Sequence, residues 1–499
     1  MSKPIRYVAG LAALALAAAC GSTVPTAGGS ALAPDGSFGV PTPAATAPGL
    51  GGSTGGGTGG TSTGALVPGT TGTATTGGTT GGDAVPGTTS GLVGGPLRPV
   101  RVGILLTKVG QADALGVSVG NTYSERQFDD ALIAGLNKHG GLHGHKVVPV
   151  YAGTDTASTN WESDYSAACS TFTQDNHVDA VLGSSFAYFA SFESCLAKAG
   201  VPHLSNTSNV ADNTELGRFP LLRNLIVPTI DKRSIAKLQG AITTGFLTPS
   251  NKLGVITDTC PGTQRAWNNV VKPFLSQHHI DVASTADEGC ADGYNASFSG
   301  AGAAVSNAIL TFRSNGVDRI TFITVSESGT MLAMSAAATS QRYYPGWILS
   351  SLVGTSVLQG QAPADEMAST RVYGWLPSQD VSPSLYGPPN AAQRRCYGYL
   401  KEEGIKPVSA ADYSYAQSIC EALFSYEAAI GGSGGSLGGT AVVHALDALG
   451  TTVQSVFTLN GASLFSPTRR NDVPRLYREA VWNGGCSCFT YRGPTYPMP

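Results

Sequence analysis

Two rhythms of apolar residues alternate along most of this chain. Short unbroken runs, VRVGILLT at 100–107, KVVPVYAG at 146–153, DAVLGSS at 179–185 and VPHLSNTS at 201–208, have the length and content of buried strands. Between them apolar residues recur at helical spacing. From Thr122 to Asn137, Phe128, Ala131, Leu132 and Leu136 share one face, and further helices are expected around Asp164 to Thr173 and Phe189 to Ala199. The alternation then starts again. A helix at 231–246 precedes KLGVITDT (252–259), helices at 263–276 and 300–314 precede DRITFITV (318–325), and a helix near 329–340 precedes GWILSS (346–351). Strand, helix, strand with crossovers of this length predicts parallel sheets covered by helices, here in two similar α/β units.

The units share a local pattern. VDAVLGSS followed by AGVPHLSNTS in the first matches VDRITFITVSES followed by YPGWILSS in the second: a strand ending in hydroxyls, a helix, then another strand ending in serine. Ligands of open parallel sheets bind beyond the carboxyl ends of the strands. Two serine-rich edges facing each other would make a cleft.

The first hundred residues follow neither rhythm. Lys3 and Arg6 precede LAALALAAAC, a charged start and short apolar core that read as an export signal. Its end resembles a bacterial lipobox, which implies lipidation of Cys20; cleavage after Ala19 to give a plain secreted protein is the alternative. From Gly21 to Leu97 only Asp35 and Asp83 carry charge, among Gly, Thr, Ser, Ala and Pro. So little apolar surface cannot offset chain entropy, and a flexible tether of about 50 Å mean span is expected. A glycosylated stalk fits the same composition.

Composition narrows the function. A length of 499 residues suggests several domains, but most of the excess among the 65 glycines lies in the tether. A net charge of -3 without a basic cluster gives no support to nucleic-acid binding. Eight cysteines follow Cys20, an even number that favours four disulfides in an exported protein. Cys169 and Cys195 flank the third strand and should pair, as should Cys260 and Cys290 in the second unit. Cys486 and Cys488 would close a very small ring, so each is expected to reach Cys396 or Cys420 and staple the tail to the body.

NKHGGLHGHK (137–146) places His139, His143 and His145 within seven positions, but its glycines make it a helix stop and turn, so no metal is expected. No GxxxxGK[ST] or HExxH pattern occurs, and GGSGGSLGG (431–439) follows a helix as a connector. Neither an enzyme nor a cofactor is expected.

The succession of a helix, NKHGGLHGHKVVPVYAGTD, a cysteine-bearing helix, VLGSS and AGVPHLSNTS resembles the first lobe of the Leu/Ile/Val-type substrate-binding proteins of ABC importers. Asn137, Gly140, Gly141 and Gly144 match that family's Asn-x-x-Gly-Gly-x-x-Gly turn. The resemblance covers roughly residues 99–470 and implies a type I periplasmic binding protein fold: two Rossmann-like lobes with a cleft and hinge crossovers. The expected division is a leader at 1–20, a tether at 21–98, a first lobe of 99–229 plus 375–455, and a second of 230–374 plus 456–499. Crossovers are expected near 225–229, 372–376 and 456–459.

Carried over by position, the resemblance implies ligand contacts from Ser184, Ser185, Ser205 and Thr207 in the first lobe. From the second it implies Asp258, Thr259, Ser326 and Glu327; the family's tyrosine is missing where Cys260-Pro261-Gly262 stands. Serines and Asp258 at such junctions also serve as helix caps, and Phe186, Tyr188 and Phe189 could wall the pocket or pack the core. The implied function is a monomeric solute receptor, lipid-anchored to the outer face of the cell membrane, that passes a small polar molecule to an ABC importer permease. A surface sensor that signals to a partner, or a hydrolase without a recognisable motif, are the other readings.

Overall fold

The computed structural model describes residues 97–108, 122–155, 158, 160–183, 188–206, 212–290, 301–325, 327–359, 362–467 and 473–499. Cys20 and residues up to 96 of the expected leader and tether lie outside this set.

The first sheet is parallel, ordered β2-β1-β3-β4-β5, from β1 (Val100–Lys108), β2 (Val147–Asp155), β3 (Ala180–Gly183), β4 (His203–Ser205) and β5 (Leu222–Asn224). Val100, Val102 and Ile104 fill one side of β1 and Leu105 the other, so the run is apolar because both faces are covered. Helix α1 (Glu125–Lys138) starts with a capping box between Ser124 and Gln127 and turns Phe128, Leu132 and Leu136 inward. It stops at the glycine turn. Gly140, Gly141 and Gly144 have φ of 100°, 68° and 88°, and a Cβ on Gly141 would meet the His145 carbonyl at 2.1 Å. Asn137 brackets the turn: its Nδ2 donates to the Val147 carbonyl at 2.9 Å, and Val147 N donates to its Oδ1 at 2.8 Å. Of the histidines, His139 meets Glu402 and His145 Nδ1 meets the Arg98 carbonyl.

Helices α2 (Trp161–Ser170) and α3 (Ala190–Lys198) flank β3, and Cys169 pairs with Cys195 between them at a Cα separation of 6.4 Å. After β5 the chain leaves through residues 225–229 and enters α4 (Ile230–Thr243), capped by Thr229.

The second sheet has seven strands, ordered β12-β11-β10-β9-β8-β6-β7. Strands β6 (Lys252–Thr257), β7 (Asp281–Asp287), β8 (Arg319–Ile323), β9 (Gly346–Ser350) and β10 (Arg371–Gly374) are parallel, with α4 packed on β9 and β10. Helices α5 (Ala301–Ser314) and α6 (Glu327–Ser340) pack together beside it. The expected helix at 263–276 is two short α-segments joined by a π-turn at Trp267–Val271. Cys260 pairs with Cys290 at 4.6 Å between Cα atoms.

Beyond residue 380 the chain returns to the first sheet as α7 (Ala391–Glu402), α8 (Ala410–Gly432) and α9 (Gly439–Asp447). Arg223 of β5 grips Asp447 with Nε and Nη2, each at 2.7 Å. The tail departs from expectation. Residues after 455 cross back and form an antiparallel hairpin, β11 (Leu476–Asn483) and β12 (Cys488–Pro497), on the edge of the second sheet next to β10. Main-chain pairing holds the tail there, so it needs no staple to α7 or α8. Cys396 and Cys420 are both fully buried where those helices pack and pair with each other, 5.9 Å between Cα atoms. Cys486 and Cys488 close the small ring at the hairpin tip, 5.2 Å apart.

Three segments therefore run between the sheets, and Trp375 joins them. Its indole Nε1 donates to the Ile226 carbonyl at 2.8 Å, its carbonyl accepts from Leu459 N at 2.8 Å, and its amide donates to Ser351 Oγ at 2.7 Å.

Candidate functional site

The carboxyl ends of the second sheet carry a group of acids. Asp258, just past β6, accepts from Cys260 N at 2.9 Å and from Val325 N at 2.7 Å, tying the end of β6 to the end of β8. Burial pushes its carboxyl above the ordinary value, opposed by Thr263 and these amides. Beyond β7, Glu288 accepts from Thr330 Oγ1 at 2.7 and 2.8 Å; burial and then the charge of Asp258 raise it to about 8. Two acids thus stand side by side at this edge. Thr259, between Asp258 and the Cys260–Cys290 bridge, is exposed.

Glu327 sits differently. Its carboxylate accepts from Lys237 Nζ at 2.7 Å and Ser350 Oγ at 2.6 Å, with Arg233 Nε at 3.7 Å. Burial disfavours its charge, but Lys237 and Arg233 outweigh that and hold its carboxyl below the ordinary value. Lys237 also donates to the Phe322 carbonyl, and Arg233 Nη2 to the Thr324 carbonyl at 2.6 Å. The cluster clamps α4 against the ends of β8 and β9 beneath the acid edge. The resemblance pointed to Glu327 but not to its two cations. Their signal was present: Arg233 and Lys237 lie on the same helical face as Ile230 and Ala241, and cations on a buried face require a buried acid.

On the first sheet, Ser205 ends β4, buried, and its carbonyl accepts from Leu225 N at 2.9 Å. Asn206 follows it, with Nδ2 donating to the Ser418 carbonyl at 2.5 Å and Oδ1 buried without a hydrogen-bond partner. Sequence reading passed over Asn206 because it chose hydroxyls. Ser184, Ser185, Thr207 and Ser326, like Phe186, lie outside the described residues. Phe189 packs against Tyr165 at 4.6 Å between ring centroids, and Tyr188 Oη donates to Glu215 at 3.2 Å.

The two strand-end edges meet. Arg265, on the short helix after β6, donates from Nε to Asp212 Oδ2 at 2.5 Å and from Nη2 to Asp212 Oδ1 at 2.9 Å; Asp212 lies between β4 and β5. Arg265 Nη2 also reaches Glu215 at 3.3 Å. Nearby, Asn213 N donates to Asp231 Oδ2 at 2.9 Å. Asp212 is buried and caps the helix Asn213–Arg218 through Glu215 N. Its hydrogen bond and charge raise the Arg265 pKa, so the guanidinium is always charged. The loops beyond the carboxyl ends of the parallel strands in the two sheets are thus ion-paired to each other.

No protein-family model and no curated protein matches the sequence. Solved structures do match. The chain has the fold of a type I periplasmic binding protein. An ABC transporter substrate-binding protein from Desulfitobacterium hafniense in complex with Leu superposes with a TM-score of 0.53 at 15% identity, covering 79% of this chain and 100% of that one. A solute-binding protein from R. palustris in complex with 4-hydroxybenzoate gives 0.56 at 14%, covering 80% and 98%. A fatty acid ABC transporter substrate-binding protein from Thermomonospora curvata gives 0.54 at 12%, covering 80% and 92%. At such identities the likeness speaks for the periplasmic binding protein fold. Among the described residues no group of three or more His, Cys, Asp or Glu is arranged to hold a metal ion, and no helix is long and apolar enough to cross a membrane.

Proposed function

We propose that this chain is an extracytoplasmic solute-binding protein, tethered through Cys20 to the outer face of a membrane. It captures a small polar molecule between its lobes, 99–229 plus 375–455 and 230–374 plus 456–499, for an ABC importer permease. The observation that carries the reading is the pairing of Arg265 with Asp212 from the carboxyl ends of separate parallel sheets, where ligands of such sheets bind. Ser184, Ser185, Ser205 and Thr207, with Asn206 beside them, would offer hydroxyls and amides to the ligand's polar groups. Asp258, Thr259 and Ser326 would face them, with Glu288 adding a second acid, while Glu327 holds the floor through Lys237 and Arg233.

A thermal-shift screen over amino acids, amides, small aromatic acids and fatty acids tests this. A ligand that binds only the native state raises Tm with concentration as RT ln(1 + [L]/Kd). No saturable shift across the panel at millimolar concentration counts against a solute receptor of this kind. For the anchor, Cys20→Ser should move the protein from the detergent phase to the aqueous one; equal partitioning of both forms overturns lipidation.

A further inference from the structure

The hairpin tip carries chemistry that the cleft does not use. Between β11 and β12 the turn Gly484-Gly485-Cys486-Ser487 leads into Cys488, and Cys486 is bonded to Cys488. The three other bridges span 26, 30 and 24 positions, whereas this one spans 2. A bridge this short removes little chain entropy from the unfolded state, so stabilisation is a weak reason for it. The turn does not need it either. The strands are already zipped by the ladder from Leu476↔Pro497 to Asn483↔Cys488, Trp482 packs edge-on against Phe489 at 5.5 Å, and Gly485 N donates to Asn483 Oδ1 at 2.9 Å.

The loop also takes a left-handed step between the two cysteines. Ser487, the residue between the two cysteines, takes φ of 50°, a left-handed conformation that a serine adopts only at a cost.

Access differs as well. Cys396 and Cys420 are fully buried, so a thiolate reaches their bridge only if packed helices separate, and the Cys169–Cys195 bridge pairs a fully buried cysteine with a half-buried one. Cys290 is exposed, but its bridge holds the ends of two strand connections together. Cys486 is exposed at a tip that nothing covers among the described residues, and Cys488 is only 6% exposed. Exposed disulfides are the labile ones, and access governs which sulfur is attacked.

We propose that Cys486–Cys488 is a thiol–disulfide exchange site for low-molecular-weight thiols, with Cys486 the attacked sulfur and Cys488 the resolving one. A thiolate RS⁻ attacks Cys486 Sγ. The Cys486–Cys488 bond breaks, an R–S–S–Cys486 bond forms, and Cys488 leaves as a thiolate that takes up the proton RSH gave up. One disulfide replaces another, so this step needs no oxidant. Return attack by Cys488 expels RS⁻ and restores the bridge; attack by a second RSH on the sulfur of R instead gives RSSR and two protein thiols, a two-electron reduction. The site is independent of the cleft and of the function proposed for it.

The test uses the folded full-length chain. It is treated with reduced glutathione for increasing times, quenched with acid, alkylated and mapped by mass spectrometry. The Cys486 peptide should gain a glutathione adduct, or both tip thiols appear, at least tenfold faster than any other bridge opens. Cys488→Ser, shown to be folded by its circular dichroism melt and treated with oxidised glutathione, should keep an adduct on Cys486, because the resolving sulfur is gone; Cys486→Ser should leave Cys488 unmodified. Opening of all four bridges together, earlier opening of Cys260–Cys290, or an adduct on Cys488 in place of Cys486 would each overturn the proposal.

Discussion

Trp375 Nε1 donates to the carbonyl of Ile226 at 2.8 Å, and so one indole fixes the first crossover of the chain to the second. The third is joined through Leu459 N, which donates to the Trp375 carbonyl. The three connecting segments are therefore linked through one residue that is fully buried.

Trp375→Phe keeps the ring but leaves the buried Ile226 carbonyl without its donor. Such a loss costs about 2 kcal/mol. The expected result is a lower Tm together with faster amide exchange at both 226–229 and 456–459. Exchange that rises near 375 alone would mean that the segments are not coupled.

Arg265 pairs with Asp212 and Glu215 while itself one-third exposed, 33% for its side chain. Screening limits such a pair to about 1 kcal/mol, roughly a fivefold shift in an open–closed equilibrium. Arg265→Gln should enlarge the ligand-free protein in small-angle scattering, and high salt should enlarge the wild type in the same direction. An unchanged radius of gyration would show that the pair does not hold the lobes together.

Glu327→Gln strands Lys237 and Arg233 in the interior. Breaking a buried cluster by removing one partner costs about 3–5 kcal/mol. Tm should fall steeply, and Lys237→Met added to Glu327→Gln should recover part of the loss. A double variant no better than the single one would mean that packing, not charge, sets the cost.

Glu421 on α8 holds the third crossover, its Oε2 accepting from Ser455 Oγ at 2.8 Å and Val456 N at 2.6 Å. Burial raises its carboxyl from 4.5 to about 7, and Asp380, beside the second crossover, is raised by burial to about 7 as well. An acid whose folded pKa lies above its unfolded one binds more proton when folded, so its contribution is full below pH about 4.5 and declines as pH rises towards about 7. The decline for Glu421 is on the order of 3 kcal/mol. Glu421→Gln should therefore raise Tm relative to wild type at pH 8 more than at pH 5. A constant difference between the two pH values would mean that Glu421 does not titrate in this window.

The parallel sheets were legible because their strands are apolar on both faces and their helices keep a 3.6-residue period. The turn at Asn137 was legible because Gly141 has no room for a Cβ. Pairing of Cys169 with Cys195 followed from two helices flanking one strand. What escaped depended on distant partners. Leu476 to Pro497 has no signal naming β10 as its neighbour, so the tail was given bridges it does not form. Arg265 and Asp212 lie 53 positions apart in separate loops, and nothing local joins them. In the first sheet's edge, Asn206 was hidden by attention to serines, while Ser184, Ser185 and Thr207 stay proposals.

The hairpin at the end of the chain also sets an order of events. The first sheet is covered by α7 to α9, which end at Asp447, and the second is completed by strands that finish at Pro497. A chain that emerges amino end first exposes the apolar strands of β1 to β10 long before the segments that cover or extend them. Neither lobe can be finished as it appears, and the second must wait for β11 and β12 to emerge. Truncation by as few as the eleven residues after the tip disulfide would remove nearly all of β12 and leave β11 as a bare edge.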